Sequence, residues 1–248
     1  MQPLLSISEA SKSFGAIRAV RDVSLSVNEG EILGIAGPNG SGKSTFFNII
    51  TKTPFGPDSG RVVLGGRDVS RLRSHEIARL GLARTFQRES VFASLSAIDN
   101  VLVAVENSAG HGKFAANLET AEWALDLAGF PANMHNTAAG TMPVFLRKLI
   151  MIASALALRP KVLLLDEPAS SLTPHEVARI QVLILKLKSL GMTILLIEHV
   201  LPLLTSVSDG LAVLDYGTLV AYGRPDEVIA DPRVIEAYLG KKYEPLAS

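Results

Sequence analysis

Residues 37–44 read Gly-Pro-Asn-Gly-Ser-Gly-Lys-Ser and match the pattern G-x-x-x-x-G-K-[ST]. Gly37, Gly40 and Gly42 let successive backbone N–H groups converge on phosphate oxygens, with Pro38, Asn39 and Ser41 between them. A helix opening at Lys43 adds the partial positive charge of its N-terminus. Lys43 would reach the β- and γ-phosphates of a nucleoside triphosphate such as ATP. The Ser44 hydroxyl is placed for Mg²⁺, and Thr45 follows in the same turn. An ordinary Gly-rich turn is the plainer reading. It is disfavoured because an apolar strand, Glu31–Ala36, precedes the loop and a helical stretch, Lys43–Thr51, follows it.

A second acidic pair has the same kind of context. Val162-Leu163-Leu164-Leu165 is an apolar run ending in Asp166-Glu167. A buried strand delivers such residues to the carboxyl edge of a parallel sheet, where ligands bind. Asp166 can hold Mg²⁺, usually through water. Glu167 can orient or deprotonate an attacking water. Taken alone, the pair could be a strand that ends at solvent; beside the Gly-rich loop it reads as chemistry.

The elements that must position these groups follow from the pattern of apolar residues. Leu4–Ser8, Ile17–Val27 and Arg61–Leu64 are β-like, an antiparallel N-terminal part. From Arg88 to Pro160 the chain becomes Ala-rich, with candidate helices at Ala97–Val105, Glu119–Ala128 and Leu146–Leu158 and turns such as Gly110-His111-Gly112 and Pro131-Ala132-Asn133. Beyond it strand and helix alternate: Val162–Leu165, Pro174–Leu190, Thr193–Ile197, Leu201–Val207, Gly210–Asp215 and Thr218–Tyr222. The Pro174 helix has defined ends: a Thr173-x-x-Glu176 capping box, proline at the first position and Gly191 as a stop. Alternation implies an α/β fold with a mostly parallel sheet. One domain is expected over 1–248, with a core of 1–87 and 161–248 and an inserted helical subdomain over 88–160.

Composition narrows the function classes. Lys+Arg and Asp+Glu balance at 24 each, which argues against a dedicated nucleic-acid binder. Cysteine is absent, so disulfide, thiolate and Cys–zinc chemistry are closed. Residues Met1 to Glu9 lack a basic start and an apolar run, so no signal peptide is expected. Mean hydropathy is +0.30, yet no apolar run approaches the roughly 20 residues that span a bilayer. Buried parallel strands account for the apolar content.

The remaining motifs carry a family resemblance. Arg84-Thr85-Phe86-Gln87 lies between the sheet and the helical stretch, residues 168–173 follow the acidic pair, and Leu196-Ile197-Glu198-His199 ends the next strand. Together with the phosphate loop, this resembles the ATP-binding family of ABC transporters, on the P-loop NTPase fold, over essentially the whole chain. The resemblance implies that Phe14 stacks on adenine, that Gln87 meets Mg²⁺ or water and senses a membrane subunit, and that Ser170–Thr173 form the D-loop. It also implies that His199 contacts the γ-phosphate. Core packing, a surface amide and a satisfied strand-end histidine are the plainer readings of Phe14, Gln87 and His199. Ala83–Gln87, Ile98–Ala104 and the tail Val234–Gly240 look most like branched-chain amino-acid importers; urea, short-chain amide and other amino-acid importers could share these cues, and lipopolysaccharide-export ATPases are close in pattern.

One segment departs from the family. An L-S-G-G-Q-like signature should open a helix where this chain has Met142-Pro143-Val144-Phe145-Leu146. The signature faces ATP held by the partner's P-loop, offering a Ser hydroxyl, close Gly backbone and helix N–H groups. Pro143 has no N–H, Leu146 cannot hydrogen-bond, and Phe145 is expected to obstruct closure on the phosphate. Thr173 stands where the D-loop usually has Asp. The expected partners are a second ATPase subunit, as a heterodimer with one degenerate site, transmembrane permease subunits and, indirectly, a solute-binding protein. The expected place is the cytoplasmic face of the inner membrane. A regulatory ATP-binding module with little hydrolysis is the alternative; a soluble ABC protein of translation or repair is disfavoured, since neither tandem halves nor a long coiled-coil insertion is visible.

Overall fold

The computed structural model describes residues 3–88, 90–108 and 114–239. The expected turn at Gly110-His111-Gly112 and the tail glycine Gly240 lie outside the described residues. In chain order the strands are β1 Leu5–Phe14, β2 Ile17–Val27, β3 Ile32–Ala36, β4 Ser59–Leu64, β5 Arg67–Asp68, β6 Leu82–Arg84, β7 Val162–Asp166, β8 Thr193–Ile197, β9 Gly210–Asp215 and β10 Thr218–Gly223. The helices are α1 Lys43–Thr51, α2 Ser74–Arg79, α3 Ala97–Glu106, α4 Phe114–Leu127, α5 Val144–Ala157, α6 Pro174–Ser189, α7 Leu201–Val207, α8 Pro225–Ile229 and α9 Pro232–Leu239.

Two sheets form. One is antiparallel, in the order β2-β1-β4-β5. The other runs β10-β9-β3-β8-β7-β6, parallel throughout except for the β9–β10 hairpin. The fold is therefore α/β with an antiparallel N-terminal part, as the alternation implied. Strand alternation divides the core into two apolar layers. Leu33 and Ile35 of β3, Leu164 of β7 and Leu195 of β8 face α1 and the antiparallel sheet, where Phe46 and Phe47 are wholly enclosed. Each such enclosed aromatic contributes about 1.5–3 kcal/mol. Leu163, Leu165, Ile194 and Leu196 face the opposite side, in one layer with α3, α4 and α5.

The capping box of α6 is present: Glu176 N–H donates to Thr173 Oγ1 and Thr173 N–H to Glu176 Oε2. Gly191 sits at φ +82 past the helix end, as a stop requires. The differences from expectation are mostly of extent. β1 runs on to Phe14 through irregular pairing with β2, α4 begins at Phe114, and α5 begins at Val144. β5, β6, α2, α8 and α9 are short elements not expected from the sequence. No helix among the described residues is long and apolar enough to cross a membrane.

Candidate active site

The loop after β3 enters α1 through three glycines at positive φ: Gly37 at +145, Gly40 at +79 and Gly42 at +101. Two of them are also sterically obligatory. A Cβ on Gly37 would come within 2.1 Å of the Leu214 carbonyl oxygen, and one on Gly42 within 2.3 Å of that of Ala19. The loop is thereby wedged between β9 and β2. Gly217 N–H donates to the Ser41 carbonyl at 3.0 Å and ties the β9–β10 turn to it.

Lys43 curls back over this loop. Its Nζ donates to the Gly37 carbonyl at 2.7 Å and the Pro38 carbonyl at 2.9 Å. Burial pulls the Lys43 ammonium down from its ordinary 10.5, while the charges of Glu167 and Asp166 pull it back up. Its further partner is the Ser41 hydroxyl at 3.5 Å, and a desolvated cation with these neutral partners is primed for an anionic ligand.

β8 lies between β3 and β7, so the carboxyl ends of all three meet at one edge. Asp166 ends β7, 2 % exposed. Its Oδ2 accepts from Arg84 of β6 at 2.7 Å, a buried ion pair. Arg84 also donates to Asn48 of α1 and lies against the rings of Phe47 and Phe86. Burial pushes the Asp166 carboxyl above its ordinary 3.8, and Arg84 only partly opposes this. Asp166 Oδ1 is buried with no hydrogen-bond partner. An orphaned carboxylate oxygen costs about 1–3 kcal/mol, which a cation or its bound water would relieve. The residues thus fit Mg²⁺ held by Ser44 and Asp166. Among the described residues no cluster of three His, Cys, Asp or Glu side chains could hold a metal on its own, so a cation here needs oxygen ligands beyond those side chains.

Glu167 follows in the left-handed region at φ +51, a conformation that costs a non-glycine residue free energy and concentrates at functional sites. Its N–H donates to the Ile197 carbonyl at the end of β8, and its carbonyl accepts from Lys148 of α5. Its carboxylate is gripped on both sides. Gln87 Nε2 donates to Oε2 at 2.7 Å, and His199 Nε2 lies 2.6 Å from Oε1. A hydrogen on His199 Nε2 would make this contact a donation to the carboxylate oxygen.

A cavity of about 490 Å³ collects Asn39 to Thr45, Gln87, Glu167 and His199, walled by Ile17, Arg18, Arg21 and Tyr216. The structure therefore brings residues 39–45 of the loop, Glu167, Gln87 and His199 together, while Asp166 stays buried on Arg84 and is not among the cavity's lining residues. It does not bring in Phe14. That ring is partly exposed, packs edge-to-face on Phe55 at 5.0 Å, and is not among the cavity's lining residues. Phe145 departs from the expectation of an obstruction. Its ring is buried in the core beneath the Arg179 guanidinium, 4.5 Å away, so it presents no obstruction at the surface. What the segment lacks is a polar side chain at the helix start: Pro143 is the N-cap of α5 and makes no side-chain cap, which leaves only the first-turn backbone N–H groups as donors. Arg84 is the residue sequence reasoning passed over. It stood inside the quoted Arg84–Gln87 run, but a partner 82 positions away leaves no local signal.

Comparison with known proteins agrees with this arrangement. The model of the ABC transporter family matches residues 20–170, and that described as branched-chain amino acid ATP-binding cassette transporter matches residues 218–244. The high-affinity branched-chain amino acid transport ATP-binding protein BraF of Pseudomonas aeruginosa is 36% identical, covering 97% of this chain and 99% of its own. The lipopolysaccharide export system ATP-binding protein LptB of Acidithiobacillus ferridurans is 34% identical, covering 98% and 100%. A solved nucleotide-free ATP-binding cassette from an ABC transporter superposes with a TM-score of 0.86 at 30% identity, covering 97% of this chain and all of that one. The chain belongs to the ABC transporter family of ATP-binding proteins.

Proposed function

We propose that the chain is the ATP-hydrolysing motor subunit of a branched-chain-type amino-acid importer. The grip of Gln87 and His199 on Glu167, at the mouth of the phosphate-loop cavity, supports the hydrolysis, and the family match over residues 218–244 with the BraF likeness supports the solute class. Backbone N–H groups of residues 39–45 and the Lys43 ammonium bind the phosphates. Glu167 takes the proton of the attacking water, and His199 and Gln87 hold Glu167 in line. Mg²⁺ at Ser44 and Asp166 would neutralise charge on the β- and γ-phosphates. Phe14 is proposed to reach adenine only if the β1–β2 turn moves, since it packs on Phe55.

The domain is proposed to divide into a core of 1–87 and 161–248 and a helical subdomain of 88–160. We infer a dimer of ATPase subunits at the inner face of the membrane, with permease subunits and indirectly a solute-binding protein. Because Met142–Leu146 offers neither a serine hydroxyl nor close glycine backbone, the second ATPase is inferred to be a different chain with an intact signature. The test is steady-state ATP hydrolysis by the chain alone and reconstituted with its cognate ATPase and permease subunits. Stimulation on assembly is expected. ATP binding without turnover in the full complex would instead favour a regulatory module.

A further inference from the structure

The C-terminal segment carries a contact that the ATP site does not explain. α9 is anchored by Val234, which is 4 % exposed, and Tyr238 lies one turn further along the same face, packed against the same core. The Tyr238 hydroxyl accepts a hydrogen bond of 2.7 Å from the backbone N–H of Gly37. Burial pushes this phenol above its ordinary 10.0, so it remains a neutral hydroxyl at physiological pH. Tyr238 is not among the residues lining the phosphate cavity. It bears on the loop from behind, where a second cavity of about 540 Å³ separates α9 from Pro38 to Ser41.

The Gly37 peptide occupies a particular place in the loop. Its conformation is open only to glycine, and its carbonyl accepts from Lys43 Nζ at 2.7 Å. One residue thus joins Tyr238 on its N–H side to the phosphate-binding lysine on its carbonyl side. A peptide pinned at its N–H by a packed side chain keeps its φ fixed, and with it the direction of the following loop amides.

We propose that Tyr238 is a positioning residue for nucleotide binding, and that α9 sets the loop's phosphate-receiving geometry through the Tyr238–Gly37 hydrogen bond. The inference rests on the ATP-binding reading of this loop. It gives the C-terminal segment a direct part in nucleotide affinity, distinct from packing.

The test is Tyr238→Phe in the full chain, which keeps the ring and deletes the acceptor. Three measurements are made: Mg·ATP affinity by calorimetry, amide hydrogen exchange at Gly37, and KM and kcat in the reconstituted complex. Loss of one hydrogen bond that positions the ligand site should weaken ATP affinity roughly three- to tenfold. KM should rise by the same factor while kcat at saturating ATP holds. Protection of the Gly37 amide should fall while that of the β3 amides holds. Unchanged affinity, or equal loss of kcat and protection throughout the sheet, overturns the positioning role. A wild-type chain that fails to bind Mg·ATP overturns the ATP-site reading itself, which separates the two failures. Should the Phe variant not fold, Val234→Ala in the same helix serves as second variant; affinity that stays at the wild-type value despite a lost Gly37 protection overturns the inference.

Discussion

His199 Nε2 and Glu167 Oε1 lie 2.6 Å apart, joining residues from the ends of β8 and β7 across the mouth of the phosphate cavity. The bond occupies one oxygen of Glu167 and Gln87 occupies the other. Free lone pairs remain on both, so a water can still be accepted without breaking either contact. The three side chains therefore act as a unit, and their deletions should not add. Glu167→Gln keeps shape and removes the proposed base. Retained Mg·ATP binding with hydrolysis lowered roughly 100-fold or more is expected in the assembled complex. Adding His199→Ala to that variant should cost little further. Near-normal turnover in Glu167→Gln, or a full additional loss in the double variant, contradicts the unit.

Lys43→Ala tests the binding half of the site. The ammonium is buried and held by the Gly37 and Pro38 carbonyls and the Ser41 hydroxyl, all neutral, so a phosphate is the charged partner proposed for it. A charge-assisted hydrogen bond contributes about 1.5–3 kcal/mol, so ATP affinity should fall roughly 10- to 100-fold. Calorimetry giving wild-type affinity would remove the loop from the nucleotide site.

Glu198 makes a prediction about pH. It is 1 % exposed, and its two oxygens accept the N–H groups of Ala169 and His199. Burial nevertheless pushes its carboxyl above the ordinary 4.5. The folded state then binds this proton more tightly than the unfolded chain. Its contribution to stability is whole below pH 4.5 and declines as pH rises through the folded-state value. The unfolding free energy of the wild type, minus that of Glu198→Gln, should therefore decrease with rising pH over that window. Urea titrations at a series of pH values read it directly, and an increase would show that the backbone donors outweigh burial.

Much of this fold was legible because strong local signals coincide with its elements. α1, β8, α7 and β9 lie where the sequence put them, and the Thr173–Glu176 box marks the start of α6. Each has an apolar period or cap that no distant contact must supply. β6 was not legible: its three residues end in Arg84, whose charge looks unlike a strand until Asp166 is seen to neutralise it. The Phe145 ring could not be aimed from sequence either, because it packs into a core layer built from distant elements, with Arg179 of α6 lying over it. Tyr238 stood in a quoted tail with no assigned part, since its acceptor role spans 201 positions. The motifs marked the residues that the fold gathers at one sheet edge, whereas the contacts that orient them are long-range.

The signature segment yields the prediction that separates this chain from a symmetric motor. α5 opens behind Pro143, which has no N–H, and the following Phe145 is turned into the core rather than toward a partner. In a homodimer neither nucleotide would meet a serine hydroxyl or a close glycine backbone. Donors of that type, aimed at charge developing in the transition state, are worth about 3–4 kcal/mol each. The isolated chain should therefore bind Mg·ATP, dimerise weakly on it and hydrolyse it slowly. In the complex with a second ATPase of intact signature, this chain's own phosphate loop receives those donors, while the partner's loop faces Met142–Leu146. Glu167→Gln here should then abolish most turnover, and the equivalent change in the partner should cost far less. Steady-state hydrolysis of the two single variants decides the matter. A fast, cooperative ATPase from the isolated chain, or equal losses in the two variants, would mean that α5 closes a site by some other set of groups.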